Sequence, residues 1–398
     1  MIKIDNAGNC CGCTACANIC PHNAITMQPD ALGFMYPVTD ESRCTGCGLC
    51  KKACSFNNDY ERNTGYKTKF YAVRHKNIQE VEKSRSGAMF VAITNHILNT
   101  GGVVYGAGFC NHFEVKHQRA TTKEERDNFR GSKYVQSELS NTFTNIKKDL
   151  KNGLLVCFSG TPCQTSGLRS FLSALRINSD KLLTIDIVCH GTPSPYIWRD
   201  YLAYIEKKCG GKATAVSFRD KEALGWAAHK ESFTIKGKKI ITDTYTDLFY
   251  KHIMLRHSCS VCPYTNTYRP SDITIADFWG WEDVNQNFNK DDKGVSLVII
   301  NSEKGDNIFK VVEADINALE TTSQTACKKN HPLNVPSDTH TLREQFEKDY
   351  ARKGFSYVAN KYGNTGFFFN LKKEYPIIDK ILWNINNRII RKLWKGRK

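Results

Sequence analysis

No apolar run in this 398-residue chain reaches membrane-spanning length; the longest, such as "VSLVII", are the size of a buried strand. The start, "MIKIDNAGNC", lacks a basic stretch followed by an apolar one, so no secretory signal is read there. A cytoplasmic location is therefore expected, with the 17 cysteines as reduced thiols rather than disulfides. The net charge of +16 comes without any nucleic-acid recognition motif, and no nucleic-acid partner is expected. No acid–base triad is apparent. One further lack poses a question. Cys259 and Cys262 form a CxxC pair with no second pair near it, whereas a tetrahedral zinc or an iron–sulfur cube needs four ligands.

What is present is an ordinary globular composition, 40% hydrophobic and 24% charged, at a length that suits two or three domains. Nine of the 17 cysteines crowd into the first 54 residues, in "CCGCTACANICP" and "CTGCGLCKKAC". Cys10, Cys13, Cys16 and Cys20 spell C-x2-C-x2-C-x3-C, and so do Cys44, Cys47, Cys50 and Cys54. This is the spacing of bacterial two-cluster ferredoxins, in which the fourth cysteine of each run ligates the other cube. The assignment is then Cys10, Cys13, Cys16 and Cys54 to one 4Fe–4S cluster, and Cys44, Cys47, Cys50 and Cys20 to the other. Zinc knuckles would leave the third cysteine of each triplet surplus. Ser55 stands where a second proline would follow the motif, and Cys11, in neither register, reads as a bystander thiol.

Residues 1–57 carry four Lys or Arg against four Asp or Glu, so the whole +16 belongs to the remainder. A solvated basic face, an anionic coenzyme, an acidic electron carrier and an anionic membrane each account for it. After the polar stretch "NNDYERNTGYKTK", the segment "KFYAVRHK" reads as a strand. "KSRSGAMFVAITNHILNTGG" reads as a loop, a helix from about residue 87 to 98, and a Gly-Gly stop. Ser86 is its candidate N-cap, and with Arg85 alongside, the helix start is either an anion site or an ordinary cap. "GGVVYGAGF" is a second strand. "GLLVCFSGTPCQTSGLRSFLSAL" and "LLTIDIVCHGTPSPYIWRDYLAYIEKK" each run strand, turn, helix, and "SFTIKGKKIITD" predicts a hairpin turning at Lys236-Gly237.

Such alternation predicts a mixed or parallel sheet with helices packed on it, and ligands beyond the carboxyl ends of its strands. Cys163 and Cys189 sit at such ends. Together with Cys259 and Cys262, which precede the strand in "SDITIADFWG", they either converge on a four-thiolate site or serve as small buried hydrophobes. The C-terminal "YPIIDKILWNINNRIIRKLWKGRK" spaces Ile378, Ile381, Leu382, Ile385, Ile389 and Leu393 helically, with basic residues around them. This basic amphipathic helix either lies on an anionic membrane surface, which would make the protein peripheral, or packs on protein.

From residue 66 onward the chain resembles the coenzyme F420 hydrogenase/dehydrogenase beta-subunit family, with a bacterial two-cluster 4Fe–4S ferredoxin domain fused in front. The resemblance is carried by "SGAMFVAI", "GGVVYGAGF", "RGSKYVQS", "SGTPCQTSGL", "DIVCHGTPSP", "FRDKEALGW" and "CSVCPYTNTYRPSDITIADFWG", in family order. It implies FAD in the central domain beside a third 4Fe–4S cluster, whose ligands match Cys163, Cys189, Cys259 and Cys262. It also implies flavin contacts at Ser86 and Gly87 near the phosphates, then at Ser132, Lys133 and Gln136, and at Thr161 and Gln164. His190 is either a flavin or substrate contact or a structural histidine. Ala88 stands where members often have a second glycine. Arg219 and Lys221 either meet an anionic substrate or pair with Asp220 and Glu222, while Trp279 and Trp281 are expected in the core.

The expected fold class is α+β: a ferredoxin-like two-cluster domain over 1–57, then a mixed α/β flavin-binding domain. The latter divides into an N-terminal part over 66–150 and a C-terminal part over 151–330 that carries the third cluster and flavin contacts; an extension covers 331–398. A flavin joins two-electron hydride chemistry to one-electron clusters. The expected function is therefore an iron–sulfur flavoprotein oxidoreductase. It would pass electrons between a hydride carrier, F420-like or another small molecule, and one-electron carriers. Alternatives are an electron-transfer subunit or ferredoxin-fed reductase partner without F420 activity, and a scaffold that has lost its flavin. The expected partners are a redox protein or that small-molecule carrier.

Overall fold

A computed structural model describes residues 1–56 and 65–365. The C-terminal basic helix expected over 375–398 lies outside the described residues. Near the N-terminus, β1 (Ile25–Pro29) and β2 (Met35–Thr39) pair antiparallel, with Ile25 opposite Thr39. The remaining strands are β3 (Lys69–His75), β4 (Val103–Cys110), β5 (Glu114–Ala120), β6 (Val156–Gly160), β7 (Leu182–Ile187), β8 (Ala213–Ser217), β9 (Glu231–Ile235), β10 (Lys238–Thr242), β11 (Ile273–Asp277), β12 (Ser296–Ile300) and β13 (Ile316–Thr321).

Eight of them form one mixed sheet in the order β13-β3-β12-β11-β7-β6-β4-β5. Its middle, β11-β7-β6-β4, is parallel, and both flanks are antiparallel. Adjacent side chains of a strand face opposite ways. Accordingly Val104, Cys157 and Leu183 enter the core beneath the helix Met89–Asn99. Their neighbours Val103, Val156 and Leu182 enter a second core on the other face, beneath the helices Thr142–Lys151 and Pro162–Ala174. Burial on both faces is why the central strands read as near-continuous apolar runs.

That second core also takes in Ala15, Ile19 and Ala53 from the cysteine-rich N-terminal region. A third core gathers the helix Pro195–Cys209, the antiparallel sheet β10-β9-β8 and the helix Arg343–Tyr362, and Leu32 and Phe34 reach into it from the β1–β2 connection. The N-terminal region is thus built into the body on two sides. Among the described residues no helix is long and apolar enough to cross a membrane.

Local expectations meet local structure closely. The hairpin turns at Lys236 (φ 51°) and Gly237 (φ 72°), the doubly positive pair of a type I′ turn. One boundary moves. The helix read from residue 87 begins at Met89, and its N-cap is Ala88 at φ 67°, ψ 24°, not Ser86. Backbone pairing explains the delay: the Gly87 carbonyl accepts from His75 N–H at 2.8 Å, and Ser86 Oγ donates to the Val295 carbonyl at 2.5 Å. The chain is held extended until residue 88.

Candidate cluster and cofactor sites

Both N-terminal cysteine loops turn by the same device. Gly12 (φ 71°) and Thr14 (φ 63°) flank Cys13, while Gly46 (φ 73°) and Gly48 (φ 78°) flank Cys47. Left-handed residues on either side wrap each loop before a short helix, Ala15–Ile19 or Leu49–Lys52, that presents Cys16 or Cys50. Cys20, Cys44, Cys47 and Cys50 line one hollow. Burial, then Cys13, Cys10 and Cys54, push the Cys16 thiol up, so Cys54 stands with the first triplet. Cys20 thus lies beside the second triplet and Cys54 beside the first.

Cys163, Cys189, Cys259 and Cys262 all line a single cavity. Cys163 lies in the first turn of Pro162–Ala174, after β6; Cys189 follows β7; Cys259 belongs to the short 3-10 turn His257–Val261 and Cys262 ends it. Backbone N–H groups already point at sulfur: Gly191 donates to Cys189 at 3.3 Å and Thr192 to Cys259 at 3.4 Å. Gly191 (φ 109°) has no room for a Cβ, which would meet Leu255 at 2.7 Å. Burial raises Cys189 and Cys259 and takes Cys262 to about 12, whereas hydrogen bonding from Cys11 draws Cys163 down to about 7. Four cysteines so buried could ionise together only around positive charge, as a bound metal centre would supply. Among the described residues no group of three or more His, Cys, Asp or Glu is gathered to hold a single ion.

Two buried arginines reach the same cavity. Arg269 donates to the Tyr264 carbonyl at 2.6 Å and the Ile187 carbonyl at 2.9 Å, tying the segment after Cys262 to the end of β7. Its charge is met by Asp186, 3.2 Å away and equally buried. Arg256 approaches from the other side and touches the loop of Cys10. Cys11, read as a bystander, is buried against Cys13 and Cys163 and lines this cavity.

A far larger cavity, about 480 Å³, opens at the carboxyl ends of the parallel strands. Ser86, Ser132, Lys133, Thr161, Gln164 and His190 line it, and so does Cys189. Lys133 donates to the carbonyls of Asn128 and Arg130 at 2.7 and 2.8 Å, has no carboxylate partner among the described residues, and is drawn down to about 7 by burial. Arg85 Nε and Nη1 and Arg130 Nε make no hydrogen bond. Gln164 Nε2 donates to Ser137 Oγ at 3.0 Å, and Ser137 meets His117 Nδ1 at 2.9 Å, so the cavity floor is a connected polar network. Arg85 is ion-paired with Asp277 at 3.6 Å and Arg130 with Glu80 at 2.8 Å, so Lys133 is the cation on this wall without a carboxylate among the described residues. A cavity of this volume with such a wall fits an organic cofactor bearing phosphates.

Two residues expected at the flavin lie elsewhere. Gly87 packs against the backbone of Val73 and Ser296, where a Cβ would come within 2.0 Å. Gln136 donates to the Cys11 carbonyl at 2.8 Å and accepts from Arg256 at 2.9 Å, joining the cluster region. Arg219 bonds Asp277 rather than Asp220 or Glu222, and Lys221 donates to the Val81 and Lys293 carbonyls. Burial opposes ionisation of Asp277, but Arg219 and Arg85 outweigh it and hold the carboxyl below its usual range. Trp279, expected in the core, stacks on Trp226 at 4.6 Å between centroids and faces the large cavity; Trp281 packs partly buried. Asp277, Arg256, Arg269 and Asp186 went unread in the sequence. Their partners are distant along the chain, and only the buried strand ends of β7 and β11 hint at the aspartates.

Residues 154–325 match the family that covers the C-terminal part of the coenzyme F420 hydrogenase/dehydrogenase beta subunit, and residues 9–58 match the 4Fe-4S dicluster domain. A chain from the F420-reducing [NiFe] hydrogenase complex from Methanosarcina barkeri is 17% identical, over 77% of this chain and 97% of that one, with a TM-score of 0.46. No curated protein matches.

Proposed function

From a chain whose residues 154–325 belong to the coenzyme F420 hydrogenase/dehydrogenase beta-subunit family and whose residues 9–58 are a 4Fe–4S dicluster domain, we infer an iron–sulfur flavoprotein oxidoreductase. It exchanges electrons between a hydride carrier and one-electron carriers. The observation that carries this reading is Cys189, together with Gly191 and Thr192. These residues form the wall common to the 480 Å³ cavity and the four-cysteine cavity. A flavin in the first would lie one residue from a cluster in the second, and a flavin is the cofactor that joins two-electron to one-electron transfer.

The chain's own groups divide the work. Lys133, which no carboxylate among the described residues meets, would gain a partner in a diphosphate, while Arg85 and Arg130, paired with Asp277 and Glu80, line the same wall and Ser86 and Ser132 stand nearby. Gln164, Ser137 and His117 fix the floor. Cys163, Cys189, Cys259 and Cys262 hold a third 4Fe–4S cluster, and Cys11 and Cys13 bring the N-terminal cluster loop against it. His190 and His229, each drawn to about 4 by burial, are neutral at physiological pH beside the cavity. With these imidazoles neutral and Asp277 paired with Arg219 and Arg85, no unpaired carboxylate among the described residues of this wall opposes an anionic carrier.

The test is iron, acid-labile sulfide, zinc and flavin per chain on anaerobically purified protein. About twelve iron and one flavin are expected. About eight iron without flavin would reduce the reading to a ferredoxin module on a different scaffold. A second reading, an electron-transfer subunit that feeds a separate reductase, rests on the open surface at Cys47, where Gly46 and Gly48 have empty space outward. Turnover of a hydride donor by the isolated chain with an artificial acceptor separates the two.

A further inference from the structure

Arg256 is 1% exposed, yet no carboxylate among the described residues pairs with it. Its guanidinium donates to the Cys10 carbonyl at 2.7 Å, the Met35 carbonyl at 3.0 Å and Gln136 Oε1 at 2.9 Å, and Nη2 stands 3.6 Å from Cys10 Sγ. It lies 4.2 Å from the centroid of the Tyr36 ring and lines the cavity of Cys163, Cys189, Cys259 and Cys262. A buried charge without a counter-charge is costly. The other buried arginine of this cavity, Arg269, has Asp186; Arg256 has only dipoles, an aromatic face and sulfur.

We propose that Arg256 is the shared counter-cation of two clusters, the one held by Cys10 and the one held by Cys163, Cys189, Cys259 and Cys262, and that it raises the reduction potential of both. The proposal rests on the third-cluster reading above. An all-cysteine cube is anionic and becomes more so on taking up one electron, so a fixed positive charge in a dry site favours the reduced form. The N–H directed at Cys10 sulfur acts in the same sense. The cluster of Cys20, Cys44, Cys47 and Cys50 lines a separate hollow that Arg256 does not reach. The guanidinium therefore lowers these two clusters in energy relative to the cluster of Cys20, Cys44, Cys47 and Cys50, and makes them the pair on which electrons collect between the large cavity and that outer cluster. Arg256 is a positioning residue, for it also pins the Cys10–Gly12 loop: a Cβ on Gly12 would meet its Nη1 at 2.9 Å.

The experiment is an EPR-monitored redox titration of the full chain, purified without oxygen, as wild type, Arg256→Lys, Arg256→Gln and Gln136→Glu. In Arg256→Gln two of three midpoints should fall and one should stay. Arg256→Lys keeps the charge and should recover part of the shift. Gln136→Glu sets a carboxylate against an intact guanidinium and should lower the same two midpoints even where Arg256→Gln fails to fold. Midpoints that do not move, or that all move equally, in variants with about twelve iron overturn the inference alone. A wild type with about eight iron removes the third cluster, and the shared role falls with it.

Discussion

Ala88 holds φ 67° and ψ 24° at the head of helix Met89–Asn99, a left-handed conformation that costs an L side chain about 1–2 kcal/mol. Glycine gives part of that back through its looser unfolded state. Ala88→Gly is expected to raise stability by about 0.5–1 kcal/mol, read as a higher urea midpoint. His117 sets a pH dependence. Its ring is buried between Ser137 Oγ and the Ser159 carbonyl, and burial draws it to about 4. An exposed imidazole titrates near 6.5, so on acidification the unfolded chain takes the proton first. Stability should fall as pH drops from about 6.5 to about 4, and His117→Gln should flatten that fall by about one proton in the slope of stability against pH. Arg256 shows the limit of legibility at this scale. It lies three positions before Cys259, but its partners Cys10, Met35 and Gln136 are 246, 221 and 120 positions away. Nothing in one sequence announces such pairings.

Helices and strands were easier to read because their causes are local. The Lys236-Gly237 turn follows from which residues tolerate positive φ, and replacing Lys236 with asparagine should stabilise the hairpin by about 0.5 kcal/mol in urea melts. The helix Pro162–Ala174 is set by Pro162 in its first turn and by Gln164 Oε1 accepting the Thr161 N–H at 3.0 Å. What no element states is its neighbour. That β11 lies against β7, and that Arg269 ties the segment after Cys262 to the end of β7, decides whether Cys262 reaches Cys189. Arg269→Leu leaves Asp186 unpaired in the core and should cost about 3–5 kcal/mol. The same variant should retain about eight iron, by iron analysis, where wild type holds about twelve.

At the scale of the molecule, the N-terminal region is not a detachable bead. Phe34 is fully buried in the core of Pro195–Cys209, and Ala15, Ile19 and Ala53 share the core of Pro162–Ala174. Asn18 adds hydrogen bonds to the Ser140 carbonyl and Thr144. A fragment of residues 1–56 would expose these side chains. It should lose its visible iron–sulfur absorbance in air several-fold faster than the full chain does. The expectation of a domain closed over 1–57 came from cysteine spacing, which says where ligands fall but not what the loops between them pack against. The segment from 331 likewise reads as an extension, yet Arg343–Tyr362 supplies Phe346 and Val358 to the same core.

The sequence by itself determined the two C-x2-C-x2-C-x3-C runs of a 4Fe–4S dicluster domain, the strands and the hairpin, because spacing, backbone preference and side-chain alternation act over a few residues. Only the tertiary structure decided that Cys163, Cys189, Cys259 and Cys262 line one cavity, that Cys189 also faces the larger one, and that Arg256 stands between two cluster sites without a carboxylate. Those facts depend on which strands become neighbours and on where buried charge finds its partner, and burial and Coulomb forces act between groups that are near in space however far apart they lie along the chain.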